Sequence, residues 1–326
     1  MGKDVVYAET EAGVRTAVID VTNPAFAVSA TDAELAVMAE QYVIEAGRQQ
    51  EIPDAFREAL RNSMLGRALM AASGTFLDGM STYLLKLGPE NLGGEACPID
   101  QRIAASFPAF TARLRLVDMA RLLAEGLGKS AVEPRRPLCL VNIGGGAGSD
   151  SWNALICLHG EHPELLKGRQ IVIAVLDLDA RGPAFGVRAV SALGAPAAAL
   201  GGLDLKFRYL SYEWSDAAPL AKALEGLNAG DAACGISSEG GLFEYGSDEE
   251  IVSNLRVTHA GTAEDAVVVG SVTREGVVVR ASLSASRVAT RPRTIEAFRV
   301  LAKRGGWSVE KILERPFSYN VRLVKV

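Results

Sequence analysis

The sequence predicts an α/β protein in which a helical amino-terminal region precedes a parallel sheet covered by helices on both faces. Apolar residues from about 32 to 127 recur at helical spacing, whereas strand-like and helix-like segments alternate after a linker at 128–137. Alternation of this kind is typical of parallel strands joined by helices. We therefore predict two domains, a helical domain at 1–133 and a sheet domain at 134–326.

The helical domain is predicted from caps, breakers and apolar spacing. Thr31 followed three residues later by Glu34 has the pattern of a capping box at a helix start. Further helices are predicted at 53–64, 66–87 and 108–127. The pair Gly88-Pro89 ends the second of these, because glycine and proline both interrupt helices.

The sheet domain is predicted from five apolar runs and the helical segments between them. The strand candidates are 138–143, 170–176, 205–210, 232–237 and 266–272. The helix candidates are 151–159, 181–193, 217–226 and 248–259. The tail differs, since a helix at 294–304 is followed by runs at 307–313 and 319–326. We expect these two runs to pair as a hairpin at the sheet edge.

Composition excludes several classes of partner. The chain has 326 residues, 48% hydrophobic and 22% charged, with a formal net charge of −5. This charge does not favour a nucleic acid or an anionic membrane surface as a partner. No uninterrupted apolar stretch reaches the roughly 18 residues that span a bilayer. The start of the chain is polar and lacks the apolar core of a signal peptide, and its four cysteines form no CxxC pair. We expect a cytoplasmic protein.

A glycine-rich turn is the most informative motif. The apolar run Leu138–Ile143 stops in alternating glycines, Gly144, Gly146 and Gly148. Glycine lets the backbone turn sharply and lets a ligand approach closely. A phosphate-binding loop would place lysine after the last glycine, and a dinucleotide fingerprint reads GxGxxG rather than GxGxG. Asp150 would repel a pyrophosphate at this helix start, so a ligand with an ammonium group fits better.

An acidic residue follows the second strand of the sheet domain. Asp177, in the run Asp177-Leu178-Asp179, has the position from which a carboxylate accepts hydrogen bonds from both ribose hydroxyls. Together with the glycine turn it favours a nucleoside without phosphates. The alternative is that Asp177 and Asp179 only cap the next helix.

These motifs resemble those of the class I S-adenosylmethionine-dependent methyltransferases, over residues from about 134 to 326. The matching elements are the glycine turn from Asn142 to Gly148, the Asp177-Leu178-Asp179 run and the closing strand–helix–hairpin pattern. The family implies a Rossmann-like doubly wound sheet of seven strands with the last antiparallel, and S-adenosyl-L-methionine as cofactor. It implies that the three glycines approach the methionine part of the cofactor while Asp177 holds the ribose. The family often has an acid where this chain has Asn142, and Asp150 is our candidate for supplying that charge.

The same resemblance suggests further contacts to the cofactor. The run Tyr212-Glu213-Trp214 follows the third strand, where the family contacts adenine. A surface loop is an equally good reading of that run. Ser237 and Ser238 follow the fourth strand and are expected to border the cofactor.

The catalytic group is less clear from the sequence. The segment 243–249 resembles small-molecule O-methyltransferases with a helical dimerisation domain, which often read His-Asp-Trp-Ser-Asp-Glu there and use the histidine as base. This chain has Phe243-Glu244-Tyr245 instead. Either Glu239 or Glu244 acts as the base, or no strong base is used. The pair His159 and His162 lacks the i, i+4 spacing of a zinc site, so no metal is expected.

The sequence thus predicts an S-adenosylmethionine-dependent methyltransferase that acts on a small molecule, plausibly in a biosynthetic reaction. The helical domain is expected to cover the substrate and to offer a surface for a homodimer. Three alternatives stay open: cyclisation or aminocarboxypropyl transfer from the same cofactor, a non-catalytic cofactor-binding subunit, and, more distantly, an NAD-dependent dehydrogenase.

Overall fold

The computed structural model describes residues 4–48, 54–72, 74–94, 96–130, 136–286 and 288–326. The strands are β1 Tyr7–Glu9, β2 Arg15–Ala17, β3 Leu138–Ile143, β4 Gln170–Asp177, β5 Asp204–Ser211, β6 Ala233–Ser238, β7 Val267–Thr273, β8 Trp307–Glu314 and β9 Ser318–Lys325. The helices are α1 Asp32–Arg48, α2 Asp54–Arg61, α3 Met64–Ala71, α4 Gly79–Lys86, α5 Pro98–Ala104, α6 Phe107–Ser130, α7 Ser149–Glu161, α8 Arg181–Leu193, α9 Ala218–Gly226, α10 Leu242–Tyr245, α11 Asp248–Gly261, α12 Val277–Ser286 and α13 Ile295–Arg304.

Seven strands form one sheet in the order β5-β4-β3-β6-β7-β9-β8. The strands from β5 to β7 pair in parallel, and β9 runs antiparallel to both of its neighbours. The predicted seven-stranded sheet with an antiparallel last strand is confirmed, as is the terminal hairpin. Within that hairpin β8 forms the sheet edge, while β9 lies inside because its apolar residues Val321 and Leu323 are fully buried.

Both faces of the sheet are covered by helices, as the alternating pattern predicted. Successive residues of β3 point to opposite sides, which is the period of two that a strand imposes. Leu138 and Leu140 pack in a core with residues of α6, α7 and α8, whereas Cys139 and Val141 pack with residues of α9, α11 and α13. The predicted parallel strands and the helices between them agree with the structure within about two residues.

The helical region differs from the prediction at one place that matters for the site. The single helix predicted at 66–87 is wrong, because the chain forms α3 and α4 separately there. Gly74 has a left-handed backbone with φ of 79°, and Asp78 caps α4 by accepting a hydrogen bond from the Ser81 amide at 3.0 Å. A glycine with a left-handed backbone is typical of a helix end, and a capping aspartate is typical of a helix start. Of the helix predicted at 53–64, residue 53 lies outside the described residues.

The structure also contains elements that the sequence pattern did not reveal. These are the hairpin of β1 and β2 and the helices α5, α10 and α12. The hairpin strands are only three residues long, too short for a period-two pattern to be recognised.

The helical region packs directly against the sheet. Helix α6 continues through Ser130 into the predicted linker, of which residues 131–135 lie outside the described part. Ile19 and Tyr83 share one apolar core with Trp152 of α7 and Phe185 of α8. A domain boundary at 133–134 remains a prediction. No helix in the described part of the chain has the length and apolar character needed to cross a membrane.

Candidate functional site

The glycine turn joins β3 to α7 at the carboxyl edge of the parallel strands. Gly144, Gly146 and Gly148 all have positive φ, at 64°, 54° and 77°. Residues other than glycine pay roughly 1–2 kcal/mol to adopt this conformation. The turn is held by hydrogen bonds from the Gly144 amide to the Leu176 carbonyl at 2.7 Å and from the Gly148 amide to the Gly145 carbonyl at 2.8 Å. Alternating glycine therefore reflects a backbone requirement at this position.

Helix α4 begins directly against this turn. A Cβ built on Gly146 would lie 2.8 Å from the Cα of Gly79, and one on Gly79 would lie 2.4 Å from the Cα of Gly146. Neither distance is sterically acceptable, so both positions need glycine. A Cβ on Gly144 would lie 2.9 Å from the ring of Trp214. The amino-terminal region thus forms one wall of the space above the turn.

Asp177 ends β4 and faces the same turn. Its Oδ2 accepts a hydrogen bond from the Gly146 amide at 2.8 Å, and its Oδ1 accepts one from the Asp179 amide at 2.9 Å. Burial is the main reason that the pKa of Asp177 is raised above its ordinary value. Each carboxylate oxygen has further acceptor capacity, which a ligand hydroxyl can use. Asp179 precedes α8, and its Oδ1 accepts a hydrogen bond from the Arg181 amide at 3.0 Å.

A cleft of about 650 Å³, counted to its open mouth, lies over the turn. From the glycine turn, Gly144 and Gly146 line the cleft but Gly148 does not. The same side of the lining includes Asp177, Leu178, Tyr212, Trp214 and Glu239. Its opposite wall comes from the amino-terminal region and α10, through Phe76, Leu77, Gly79, Thr82, Tyr83, Lys86 and Tyr245. The cleft therefore joins the carboxyl edge of the parallel strands to the amino-terminal region and α10.

Several predicted site residues lie outside this lining. Glu213 is exposed next to Trp214, and Ser237 is buried within β6. The Ser238 hydroxyl donates to the Ile143 carbonyl and accepts from the Leu242 amide, both at 2.9 Å. It thereby joins two loops at the cleft floor. The predicted cofactor contacts of these three residues remain untested predictions.

Asn142 and Asp150 form a buried pair beneath the glycine turn. The Asn142 amide nitrogen donates to Asp150 Oδ1. Asp150 Oδ2 and Asn142 Oδ1 have no hydrogen-bond partner among the described residues. Burial, and then the nearby charge of Glu239, raise the pKa of Asp150 to about 6. Asp150 does not line the cleft, so a role in holding an ammonium group stays a prediction.

The two predicted catalytic carboxylates belong to one buried ion cluster, which we call the charge cluster: Lys86, Arg115, Glu239 and Glu244. Glu239 pairs with Lys86 and with Arg115 Nε at 2.7 Å. Glu244 pairs with Arg115 Nη1 at 2.8 Å and accepts a hydrogen bond from the Ser271 hydroxyl at 2.9 Å. Glu239 lines the cleft, whereas Glu244 lies behind it.

The ion pairs of the cluster shift the pKa values of Glu239 and Arg115. Burial alone would raise the pKa of Glu239, but the charges of Lys86 and Arg115 outweigh burial and hold it below the ordinary value. Burial would lower the pKa of Arg115, but Glu244 and Glu239 more than offset that effect and raise it. A carboxylate with a lowered pKa is a weak base at neutral pH. Glu239 is therefore better suited to binding a cation than to removing a proton.

Sequence reasoning missed Lys86 and Arg115. They lie on α4 and α6, and their ion pairs with Glu239 span 153 and 124 residues. The only local signal is the charged Lys86 within the apolar run 84–87. No group of three potential metal ligands occurs in the described part of the chain. His159 and His162 lie at the end of α7, away from the cleft lining.

Comparison with solved structures finds proteins of similar fold. No family model and no curated protein matches the sequence. A solved structure from Bordetella parapertussis, named a possible exported protein, is similar to the chain with a TM-score of 0.59 and 18% identity, over 91% of this chain and 97% of that one. This similarity establishes a shared fold over nearly the whole of both chains.

Two methyltransferases also align, at lower scores. Magnesium protoporphyrin IX methyltransferase from Synechocystis PCC 6803 has a TM-score of 0.45 and 13% identity, over 68% of this chain and 89% of that one. Mitomycin 7-O-methyltransferase has a TM-score of 0.42 and 15% identity, over 82% of this chain and 70% of that one.

Proposed function

We propose that the protein is an S-adenosyl-L-methionine-dependent methyltransferase that acts on a small molecule in a biosynthetic reaction. The observation that carries this proposal is the carboxylate of Asp177, held against the Gly146 amide at 2.8 Å in a cleft floored by the glycine turn. This is the arrangement expected for a nucleoside whose ribose hydroxyls bind an acid and whose remaining atoms approach bare backbone.

The residues of the cleft fit this cofactor. A Cβ on Gly144 would meet the ring of Trp214 and a Cβ on Gly146 would meet the backbone of Gly79, so these glycines let both neighbours lie directly over the turn. Asp177 would hold the ribose, and the half-buried Trp214 beside Tyr212 offers an aromatic surface for adenine. The cofactor supplies a methyl group activated by a sulfonium charge. The chain then has to orient the acceptor and exclude water from it.

Binding of the cofactor is the direct test. Isothermal titration calorimetry should show that the wild-type protein binds both S-adenosylmethionine and S-adenosylhomocysteine. Asp177→Asn should weaken both about tenfold or more, because the amide loses one charged acceptor for the ribose. Asp204→Asn, an exposed position at the opposite end of the neighbouring strand, is the matched control and should change affinity less than twofold. Absence of binding to either nucleoside would overturn the proposal.

The product separates the proposal from its alternatives. No histidine lines the cleft within the described part of the chain, so chemistry other than base-assisted methyl transfer stays a candidate. Mass spectrometry should detect S-adenosylhomocysteine during turnover. Methylthioadenosine would instead indicate cyclisation or aminocarboxypropyl transfer. Binding without turnover, restored by a second protein, would indicate a non-catalytic subunit.

Two further expectations accompany the proposal. A homodimer through the amino-terminal helices predicts twice the chain mass, measured by light scattering after size exclusion. A cytoplasmic location predicts that the protein fractionates with other cytoplasmic enzymes.

A further inference from the structure

Lys86 has an unusual position in the proposed methyltransferase site. An inference about its role rests on the proposed function. Among the described residues, Lys86 is the only cationic side chain that lines the cleft. Its side chain is 5% exposed, so it is enclosed by the protein and by whatever fills the cleft. An enclosed ammonium group interacts more strongly with a nearby charge than one in water does.

The ammonium group of Lys86 has more N–H donors than it has hydrogen bonds to the described residues. Lysine carries three N–H donors, and the structure shows one hydrogen bond from Nζ, to Glu239 Oε2. Glu239 is also bound by Arg115 Nε at 2.7 Å, and Arg115 in turn pairs with Glu244. Lys86 therefore keeps N–H donors with which it can bind an oxygen of a ligand in the cleft.

The walls around Lys86 favour a flat ligand. Phe76 and Tyr245 line the cleft and meet edge to face, with ring centroids 6.2 Å apart. Trp214 also lines the cleft, beside Gly144. Three aromatic rings in one lining favour a planar group, which can stack on a ring or meet its edge, over a bulky aliphatic one.

We propose that Lys86 binds the methyl acceptor as an oxyanion, so that the acceptor is a weakly acidic hydroxyl, a phenol or an enol, on a planar ring. This accounts for a site without a histidine, because such a hydroxyl can lose its proton to bulk water before transfer. The acceptor oxygen then forms a bond to the methyl carbon while the carbon–sulfur bond breaks. Its electron pair stays on sulfur, which becomes a neutral thioether. Lys86 keeps its proton throughout.

The ionisation of a bound phenol tests this without measuring turnover. The probe is 4-nitrophenol, whose anion absorbs visible light, titrated with pH in the presence of excess protein and S-adenosylhomocysteine. A cation within about 4–6 Å lowers the pKa of an acid by roughly 1–3 units. Wild-type protein should lower the pKa of the bound probe by about one unit or more. Lys86→Met should abolish this effect, and Lys86→Arg should retain most of it.

Controls separate the role of Lys86 from folding and from cofactor binding. Lys222→Met, at an exposed position on α9, should behave as wild type, and thermal melting verifies that each variant is folded. Calorimetry with S-adenosylhomocysteine should give affinities within about threefold for wild type and Lys86→Met.

Three results would overturn the inference. The first is that the probe does not bind wild-type protein at millimolar concentration. The second is that Lys86→Met lowers the pKa of the bound probe as much as wild type does. The third is that Lys86→Met loses affinity for the nucleoside while the pKa of the bound probe is the same as with wild type. The last would assign Lys86 to the carboxylate of the cofactor. If wild type fails to bind the nucleoside, the proposed function fails, while the probe titrated alone still reports on Lys86.

Discussion

The two sides of the cleft are built in different ways. One side contains the glycine turn and Asp177, and we call it the nucleoside side because we propose that the nucleoside binds there. A hydrogen bond from the Gly146 amide holds Asp177, which lies 31 residues further along the chain. The other side of the cleft contains the charge cluster, and we call it the acceptor side because we propose that the methyl acceptor binds there. Its four charged side chains join elements more than 120 residues apart. The first side depends on backbone conformation and the second on buried ion pairs. Because the two sides are held by different interactions, we expect substitutions on one side to leave the other side intact.

The largest expected effect comes from removing the cation shared on the acceptor side. Arg115→Met leaves two buried carboxylates short of a partner, which typically costs about 3–5 kcal/mol. Urea denaturation should show a loss of this size in the free energy of unfolding. Arg115→Lys should recover only part of it, because one ammonium group cannot reach both Glu239 and Glu244 as the guanidinium does.

The matched control is Arg188→Met, whose guanidinium is exposed on α8 and bonds only the carbonyl of Ala184. It should change stability by less than about 0.5 kcal/mol. Equal unfolding curves for Arg115→Met and Arg188→Met would show that the charge cluster does not stabilise the acceptor side.

The next effect lies on the nucleoside side. Gly146→Ala combines a left-handed backbone with a Cβ placed 2.8 Å from Gly79. We expect a loss of about 2–4 kcal/mol in stability and at least tenfold weaker nucleoside binding by calorimetry.

Gly160→Ala serves as its control within α7. A Cβ there has no atom within 4 Å, and alanine in a helix is about 0.5–1 kcal/mol better than glycine. This variant should be neutral or slightly more stable than wild type. If Gly146→Ala bound the nucleoside normally, backbone approach would not be what the glycine turn provides.

The smallest effect is a pH dependence beneath the turn. The pKa of Asp150 is raised from 3.8 to about 6, first by burial and then by the charge of Glu239. Between about pH 4 and pH 6 the folded state therefore binds more protons at this site than the unfolded state does. Its contribution to stability falls as pH rises through that window and is lost above it.

Asp150→Asn should remove this loss. The variant should gain stability relative to wild type as pH rises from 4 to 7, by at most about 3 kcal/mol, the equivalent of the raised pKa. Thermal melting at several pH values measures the difference, and Asp231→Asn, at an exposed site, should show none. Parallel pH profiles for wild type and Asp150→Asn would contradict the raised pKa.

The sequence predicted the nucleoside side well because its signals are local. An apolar run that stops in alternating glycines imposes a strand, a left-handed turn and a helix over a few residues. The five parallel strands of the sheet were recognised for the same reason, since β3 and its neighbours are short apolar runs between breakers. The prediction failed at 66–87, where a left-handed Gly74 and the cap at Asp78 divide one apolar stretch into two helices.

The sequence by itself determined the doubly covered sheet, the glycine turn and the acid at the end of β4, because backbone sterics and side-chain periodicity act between near neighbours. Only the tertiary structure decided the acceptor side. Lys86 and Arg115 are charged residues on two helices with no distinctive local pattern. Their ion pairs form only because folding places Glu239 and Glu244 next to them. The charges of Lys86 and Arg115 then hold the pKa of Glu239 below its ordinary value against the effect of burial, and no local pattern encodes ion pairs between residues more than a hundred positions apart.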